Sequence, residues 1–321
     1  MVDLQSRLEE AKQLEVQGRY DESDSIFSEL IELAQETQDP ILAASFNGRG
    51  IVRRMLGKYD DALMDYESVF DSDSDNEQKA FAWINKADIY RVSDSDLEIA
   101  HHSLDEASKF IEGESLVHVK LLYQRGLVFF AEKDYNSSIA LHNEGREICE
   151  SLLNSGLGDK DIKKNLGQNL QGAAVGYIFL EDCSESEMDY AYDCSIKALN
   201  IFNELDDQQG ILNSVVNLGR IAEVTHNYDE AILQYEKGME ILRNTGYVRS
   251  ITTLSLHLAE AHLVNGQLNE AVSYLERFVK GVVGEEITDH DKSIMGDRYN
   301  RVNNLYNQSG LNVESFKGLE F

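Results

Sequence analysis

The sequence predicts an all-α fold, a right-handed α-solenoid of about eight antiparallel helix pairs. Three observations carry that expectation. A tyrosine followed three residues later by a small residue recurs along the chain at near-constant spacing. Apolar residues on both sides of each copy fall three and four apart, the spacing of one helix face. Finally, the 321 residues include a single proline, and helix interiors exclude proline.

The anchors are Tyr20…Ser23, Tyr59…Ala62, Tyr135…Ser138 and Tyr228…Ala231, with leucine in place of tyrosine at Leu97…Ala100 and Leu268…Ala271. Tyr20 to Tyr59 is 39 residues, the steps to Leu97 and then to Tyr135 are 38 each, and Tyr228 to Leu268 is 40. A fixed period means one supersecondary unit copied along the chain, so the length reads as a number of repeats in one continuous domain, 1–321.

Taken in order, the first unit (4–38) has Arg7, Glu10-Ala11 and Leu14, a turn at Gly18-Arg19, then Tyr20, Ser23, Phe27 and Leu30. The second (43–75) has Phe46, Arg49-Gly50 and Arg53, the turn Gly57-Lys58, then Tyr59, Ala62, Tyr66 and Val69. The third (80–112) has Trp83, Lys86-Ala87 and Tyr90, with one extra residue before Leu97 and Ala100. The fourth (119–153) has Leu122, Arg125-Gly126 and Phe129, the turn Lys133-Asp134, then Tyr135, Ser138, His142 and Gly145.

The fifth unit (161–205) breaks the beat, because 93 residues separate Tyr135 from Tyr228. It reads as a helix near 161–180 and another near 190–205, joined by a long acidic turn over 181–187 and preceded by a glycine-rich connection at 153–158. The sixth (212–246) is the clearest copy: Val215, Leu218-Gly219 and Ala222, a break at His226-Asn227, then Tyr228, Ala231, Tyr235 and Gly238. The seventh (252–284) has Ser255, Leu258-Ala259 and His262, the turn Gly266-Gln267, then Leu268, Ala271, Leu275 and Phe278. A last helix with Tyr299, Val302 and Tyr306, a turn at Gly310 and a remnant at 315–321 form a capping unit, 291–321, which suits an end with no further neighbour.

With small residues at the helix crossing and aromatics filling the gaps, these units resemble the tetratricopeptide repeat. The resemblance covers roughly residues 4–310. The period of 38–40 exceeds the usual 34 and implies helices longer by about a turn, with connections at Asp39-Pro40, over 71–76 and over 244–246. This longer variety is similar to the repeats of scaffold proteins and of bacterial regulators that sense peptides or partner proteins.

Composition limits the partners. Against 29 basic residues stand 58 acidic ones, a formal net charge of −29. That field repels phosphate backbones and anionic lipid, so neither nucleic acid nor a membrane surface is expected as a direct partner. Three cysteines with no CxxC pair, no signal-like start and no apolar run of bilayer length read as a soluble, cytoplasmic protein.

Motifs for chemistry are weak. Asp71-Ser72-Asp73-Ser74-Asp75 imitates the start of a calcium loop, but Asn76 and Ala82 stand where that loop needs glycine and a closing glutamate. Aspartate or Asn76 capping the next helix explains the segment without a metal. His101-His102 splay to different faces, and His257 and His262 are five apart rather than four. No nucleophile motif stands out; the sequence reads as a protein without enzyme activity, cofactor or metal.

The family resemblance implies that binding uses first-helix residues facing a concave groove. Carried onto this sequence, it selects Asn47 and Arg54 in the second unit, Asn85 and Arg91 in the third, and Tyr123 in the fourth. Asn217 and Arg220 follow in the sixth, His257 and Glu260 in the seventh. Asparagine and arginine suit an extended peptide, with arginine able to hold a carboxylate bidentately. Some members of the family grip a C-terminal carboxylate with lysine, asparagine and arginine; Asn217 and Arg220 match part of that set, but His257 and Glu260 depart from it. The expected function is a non-enzymatic scaffold or adaptor that binds a peptide or protein segment. The alternative is a regulatory sensor that passes a ligand-induced change to a partner chain.

Overall fold

The computed structural model describes residues 3–93, 96–156, 160–243, 248–284, 289–313 and 316. The connection at 244–246, part of that at 153–158, and all of the remnant 315–321 except Phe316 lie outside them. Every regular element among the described residues is α-helical. The order is α1 (Leu4–Val16), α2 (Tyr20–Thr37), α3 (Ile41–Met55), α4 (Tyr59–Asp71), α5 (Asn76–Val92), α6 (Leu97–Ser108), α7 (Leu116–Ala131) and α8 (Tyr135–Asn154). It continues with α9 (Lys160–Phe179), α10 (Glu185–Leu205), α11 (Gln208–Val224), α12 (Tyr228–Leu242), α13 (Val248–Val264), α14 (Leu268–Val283) and α15 (Asp289–Ser309). By density of contacts the chain forms two compact units, Met1–Gly172 and Ala173–Phe321.

The anchors of the repeat are helix starts. Tyr20, Tyr59, Leu97, Tyr135, Tyr228 and Leu268 each open an even-numbered helix. Two residues before the anchor, at Gly18, Gly57, Lys133, His226 and Gly266, the backbone turns left-handed with φ between 59° and 74°. The next amide then reaches back five residues to close the preceding helix, as in Arg19 N–H to Leu14 O at 2.9 Å and Asn227 N–H to Ala222 O at 2.8 Å. This is a Schellman-type ending, which satisfies a free carbonyl at the helix end and reverses the chain in a few residues. Antiparallel helix pairs follow directly.

Within each pair the small residue after the anchor sits at the crossing. Ser23, Ala62, Ala100, Ser138, Ala231 and Ala271 are completely buried. In the first unit, odd-numbered helices pack side by side as well, α1 on α3, α3 on α5 and α5 on α7; in the second, α13 packs on α15. The apolar clusters bridge successive pairs: Leu8, Ala11, Phe27 and Val52 in the first unit, and Leu256, Leu275, Phe278, Tyr299, Val302 and Phe316 at the end of the second. The capping helix therefore seals the last pair, with Tyr306 OH accepting from Val313 N–H at 2.7 Å.

One sequence expectation needs correction. The acidic turn of the fifth unit does not extend to residue 187, because α10 already begins at Glu185. Ser184 caps it: its side chain accepts from Glu187 N–H while Glu187 accepts from Ser184 N–H at 2.8 Å, a reciprocal capping box. The aspartate run over 71–75 resolves as a cap too, since Asp75 accepts from Gln78 N–H at 2.8 Å and starts α5.

Candidate functional site

Polar residues gather on the first helices of the pairs, separately in each unit. In the first unit Arg54, at the end of α3, reaches Asp88 on α5 at 3.1 Å. Arg91, one turn further along α5, meets the other oxygen of Asp88 at 2.6 Å, and Gln124 on α7 donates to it at 2.9 Å. Burial alone would raise the Asp88 carboxyl, but Arg54 and Arg91 hold it below the usual carboxylate range. Next to this group the Tyr123 ring packs on His142, centroids 5.4 Å apart. Burial pushes the Tyr123 phenol up, with the Asp88 charge adding to it.

The same face carries Glu15 from α1 and Lys120 from α7. Burial drives both toward their neutral forms, raising the glutamate and lowering the lysine. Asn47 is buried and serves the fold: its amide donates to Gln78 O at 3.0 Å and Gln78 Oε1 at 2.9 Å, tying α3 to the start of α5. Asn85 is half-buried on α5. Of the five residues predicted in this unit, Arg54, Arg91 and Tyr123 thus gather around one carboxylate, whereas Asn47 is spent on packing.

In the second unit the charged residues lock three successive first helices together. Glu223, near the end of α11, is held bidentately by Arg298 of α15, with contacts of 2.8 and 2.9 Å. Arg298 also donates to Glu260 of α13, and Glu260 in turn accepts from Arg301 Nε at 2.7 Å. Bidentate guanidinium–carboxylate pairing fixes geometry as well as charge. Despite its burial, Glu223 is held well below the usual carboxylate range by His257 and Arg298. His257 shares the cluster through a contact of 3.1 Å between its Nδ1 and Tyr235 OH. Its Nδ1 also stands 3.8 Å from Glu223, so the imidazole faces the carboxylate as well as the tyrosine. Burial, then the Arg298 charge, pushes the imidazole down to about 4, so it is neutral near pH 7.

Arg220 completes this face from α11. Its guanidinium lies 4.3 Å from the centroid of the Phe179 ring, and its Nε is sealed from solvent without a hydrogen-bond partner. Asn217, one turn earlier, is buried. Of the four residues predicted in this unit, Arg220, His257 and Glu260 stand in one cluster, built around two residues that sequence reasoning missed, Glu223 and Arg298, whereas no contact ties Asn217 to it among the described residues. Glu223 lies three residues after Arg220 on the same helix face, a signal open to the same reasoning. Arg298 and Arg301 sit on α15, outside the repeats whose resemblance implies groove positions. His262 is occupied elsewhere, stacked on Tyr274 at 5.4 Å and bonded to Gln267 at 2.6 Å.

Among the described residues no group of three or more histidine, cysteine, aspartate or glutamate side chains is placed to hold a metal ion. Cys149 and Cys194 are buried, and burial pushes the Cys149 thiol up to about 12, away from thiolate chemistry. No helix among the described residues is long and apolar enough to cross a membrane.

The tetratricopeptide-repeat family profile matches residues 10–74, and the helix-pair architecture continues that pattern in the later repeats. Residues 10–74 thus match the tetratricopeptide repeat, and the helix pairs that follow are similar to it in fold. Among solved structures it is similar to a Rap protein complexed with competence and sporulation factor, at 15% identity and a TM-score of 0.65, covering 95% of this chain and 92% of that one. It is similar also to aspartyl phosphate phosphatase F from Bacillus subtilis, at 13% identity and a TM-score of 0.55, covering 98% of this chain and 82% of the other. A signal-transduction ATPase with a tetratricopeptide-repeat sensor from Pyrococcus horikoshii matches at 14% identity and a TM-score of 0.60, over 88% of this chain but 43% of the ATPase. At these identities the likeness is one of fold. No curated protein sequence matches the chain.

Proposed function

We propose that this protein is a non-enzymatic binding protein that holds a peptide or protein segment against the first helices of its repeats. The carrying observation is the charge of that face. In a chain of net charge −29, the second unit gathers Arg220, Arg298 and Arg301 about two described carboxylates, Glu223 and Glu260. A face of that sign attracts negatively charged or carboxylate-bearing segments and not the basic partner that the overall charge would suggest. The Rap structure was solved with competence and sporulation factor bound, which supports this use of the fold.

Selection from a library of short random peptides tests the reading. Wild-type protein should enrich specific sequences, and Arg220→Glu should abolish their retention while the helical circular dichroism is unchanged. Retention that survives Arg220→Glu and a second substitution, Arg54→Gln, would remove the first-helix face from consideration.

A sensor reading has its own observation. Arg298 ties α11, α13 and α15 through Glu223 and Glu260, so a ligand anion competing for these cations would alter how three successive repeats are held. Such a change would be passed to a partner chain. Limited proteolysis with and without a selected peptide separates a sensor, whose cleavage pattern shifts in the second unit, from a static adaptor.

A further inference from the structure

Charge reverses at one place on the second helices of the second unit. Nine residues after the repeat anchor, the first four repeats carry Glu29, Ser68, Glu106 and Glu144, whereas the sixth and seventh carry Lys237 and Arg277. Fifteen residues after it, Glu112 and Glu150 stand in the third and fourth repeats and Arg243 in the sixth. Arg243, Arg277 and Lys280 line one pocket of about 430 Å³ between α12 and α14, with Met239 and Ile251 as its apolar part, and no described carboxylate lines it. Small-molecule sites span about 300–1,000 Å³. In a chain where 58 acidic residues stand against 29 basic ones, three cations without a facing acid make a local positive field.

All three side chains are exposed, and among the described residues none of them has an ion pair. Arg243 caps the end of α12 and Lys280 lies in the last turn of α14, so each also complements a helix dipole. The dipole gives no reason for Arg277, which lies further from the helix end. Its guanidinium rests 5.6 Å from the centroid of the Tyr274 ring, which His262 backs by stacking. A guanidinium held on a ring face keeps its in-plane N–H groups available to an anion. We infer that Arg243, Arg277 and Lys280 bind the phosphate group of a small phosphate ester. A phosphate carries nearly two charges and three acceptor oxygens, so it meets three cations where a single carboxylate would leave some unmatched. Past Arg277 lies an adjoining hollow of about 520 Å³ lined by Tyr274, Glu236, Glu240 and Glu270, so the organic part of the ligand is neutral or cationic. The site is separate from the first-helix cluster, and the inference does not rest on peptide binding.

Titration of inorganic phosphate, AMP, adenosine and citrate, at matched ionic strength, against the full-length protein labelled for NMR tests this. The arginine Nε–H resonances that disappear in Arg243→Lys and in Arg277→Lys are the reporters. Both should move saturably with phosphate and with AMP, and neither with adenosine. Arg243→Gln and Lys280→Gln should each weaken AMP binding by about tenfold. Both side chains are exposed and unpaired, so these variants should keep the wild-type circular dichroism.

AMP binding that survives both substitutions overturns the site, as does failure of both phosphate and AMP to saturate. Citrate binding as tightly as AMP would mean a general polyanion patch, and adenosine displacing AMP would mean recognition of the base; either result overturns the phosphate assignment. A last arm uses phosphatidylcholine vesicles with and without phosphatidylglycerol. Arg243-dependent retention on the anionic vesicles, without AMP binding, would give these cations to a lipid headgroup and sink the small-molecule inference.

Discussion

Gly219 and Tyr235 stand in contact across the crossing of α11 and α12: a Cβ added at Gly219 would lie 2.4 Å from Tyr235 Cε1. Gly50 meets Tyr66 at the same 2.4 Å, and Gly126 meets His142 at 2.7 Å. In each case the aromatic side chain lies 16 positions after the glycine. Tyr66 and Tyr235 are completely buried, so neither ring can move aside. Elsewhere in a helix, exchanging glycine for alanine gains stability by removing backbone freedom from the unfolded chain. Here the clash outweighs that gain, and Gly219→Ala should destabilise by about 1–3 kcal/mol. Gly296, with no atom within 4 Å of its would-be Cβ, is the control. Gly296→Ala should stabilise by about 0.5–1 kcal/mol. Thermal unfolding of the two variants checks both signs.

The ladder through Arg298 predicts a stability loss that acid partly restores. Removing this guanidinium in Arg298→Ala leaves Glu223 and Glu260 buried with less compensation, which costs about 3–5 kcal/mol near neutral pH. In the wild type Glu223 is depressed below its ordinary range. Its contribution is therefore present above the unfolded carboxylate pKa and is lost only as pH falls through the lower folded value. Without Arg298 the shift reverses, so the variant gains relative to wild type as pH is lowered from 7 to 5. Parallel melting curves across that range are the measurement; a constant gap would mean that Glu223 does not depend on Arg298.

His142 supplies a second pH dependence, of opposite origin. The ring is buried between Gly126 and Gly172, bonded to Asn169 at 3.3 Å, and burial pushes its pKa down to about 4. His257 is likewise pushed down to about 4. The unfolded chain takes up protons near the ordinary histidine value of about 6.5, whereas the folded protein does not. Stability from both groups is thus present above about 6.5 and is lost as pH falls toward 4. The midpoint of thermal unfolding should drop between pH 7 and 5, and His142→Gln should flatten that slope.

Much of this architecture is legible in the sequence because its cause is local. The anchors Tyr20, Tyr59, Leu97, Tyr135, Tyr228 and Leu268 coincide with helix starts, since the turn before each and the small residue after it are set within a few positions. The fifth unit is less legible, although Ser184 and Glu187 carry a capping-box spacing that places the start of α10. An acidic, serine-rich stretch looks like a loop by composition, while the pattern within it specifies a helix start. The first-helix cluster was half legible. Arg220, His257 and Glu260 follow from their positions in the repeat. Arg298 pairs with Glu223 from 75 residues away, a relation no local spacing reports.

That capping box gives a prediction of its own. Ser184→Ala removes the acceptor for the Glu187 amide and, with it, one half of the reciprocal pair. The loss should be about 1 kcal/mol, confined to the start of α10. Amide hydrogen exchange would show faster exchange over the first turn of α10 with protection at Cys194 and beyond unchanged.

Two of the five left-handed turn positions lack the residue that suits them. Gly18, Gly57 and Gly266 take φ of 73–74° without a side chain to strain, but Lys133 and His226 adopt φ of 64° and 59°. Left-handed backbone costs a residue with a Cβ about 1–2 kcal/mol, while glycine pays instead in unfolded-state entropy, about 0.5–1 kcal/mol. The difference favours glycine by a fraction of a kcal/mol up to about 1 kcal/mol. Lys133 is exposed and its amide already bonds to Phe130 O at 3.0 Å, so the exchange removes no buried contact. Lys133→Gly should therefore raise the melting temperature although it inserts glycine, and Lys133→Ala should not. If alanine stabilises as much as glycine, the cause is loss of the lysine charge rather than relief at the backbone.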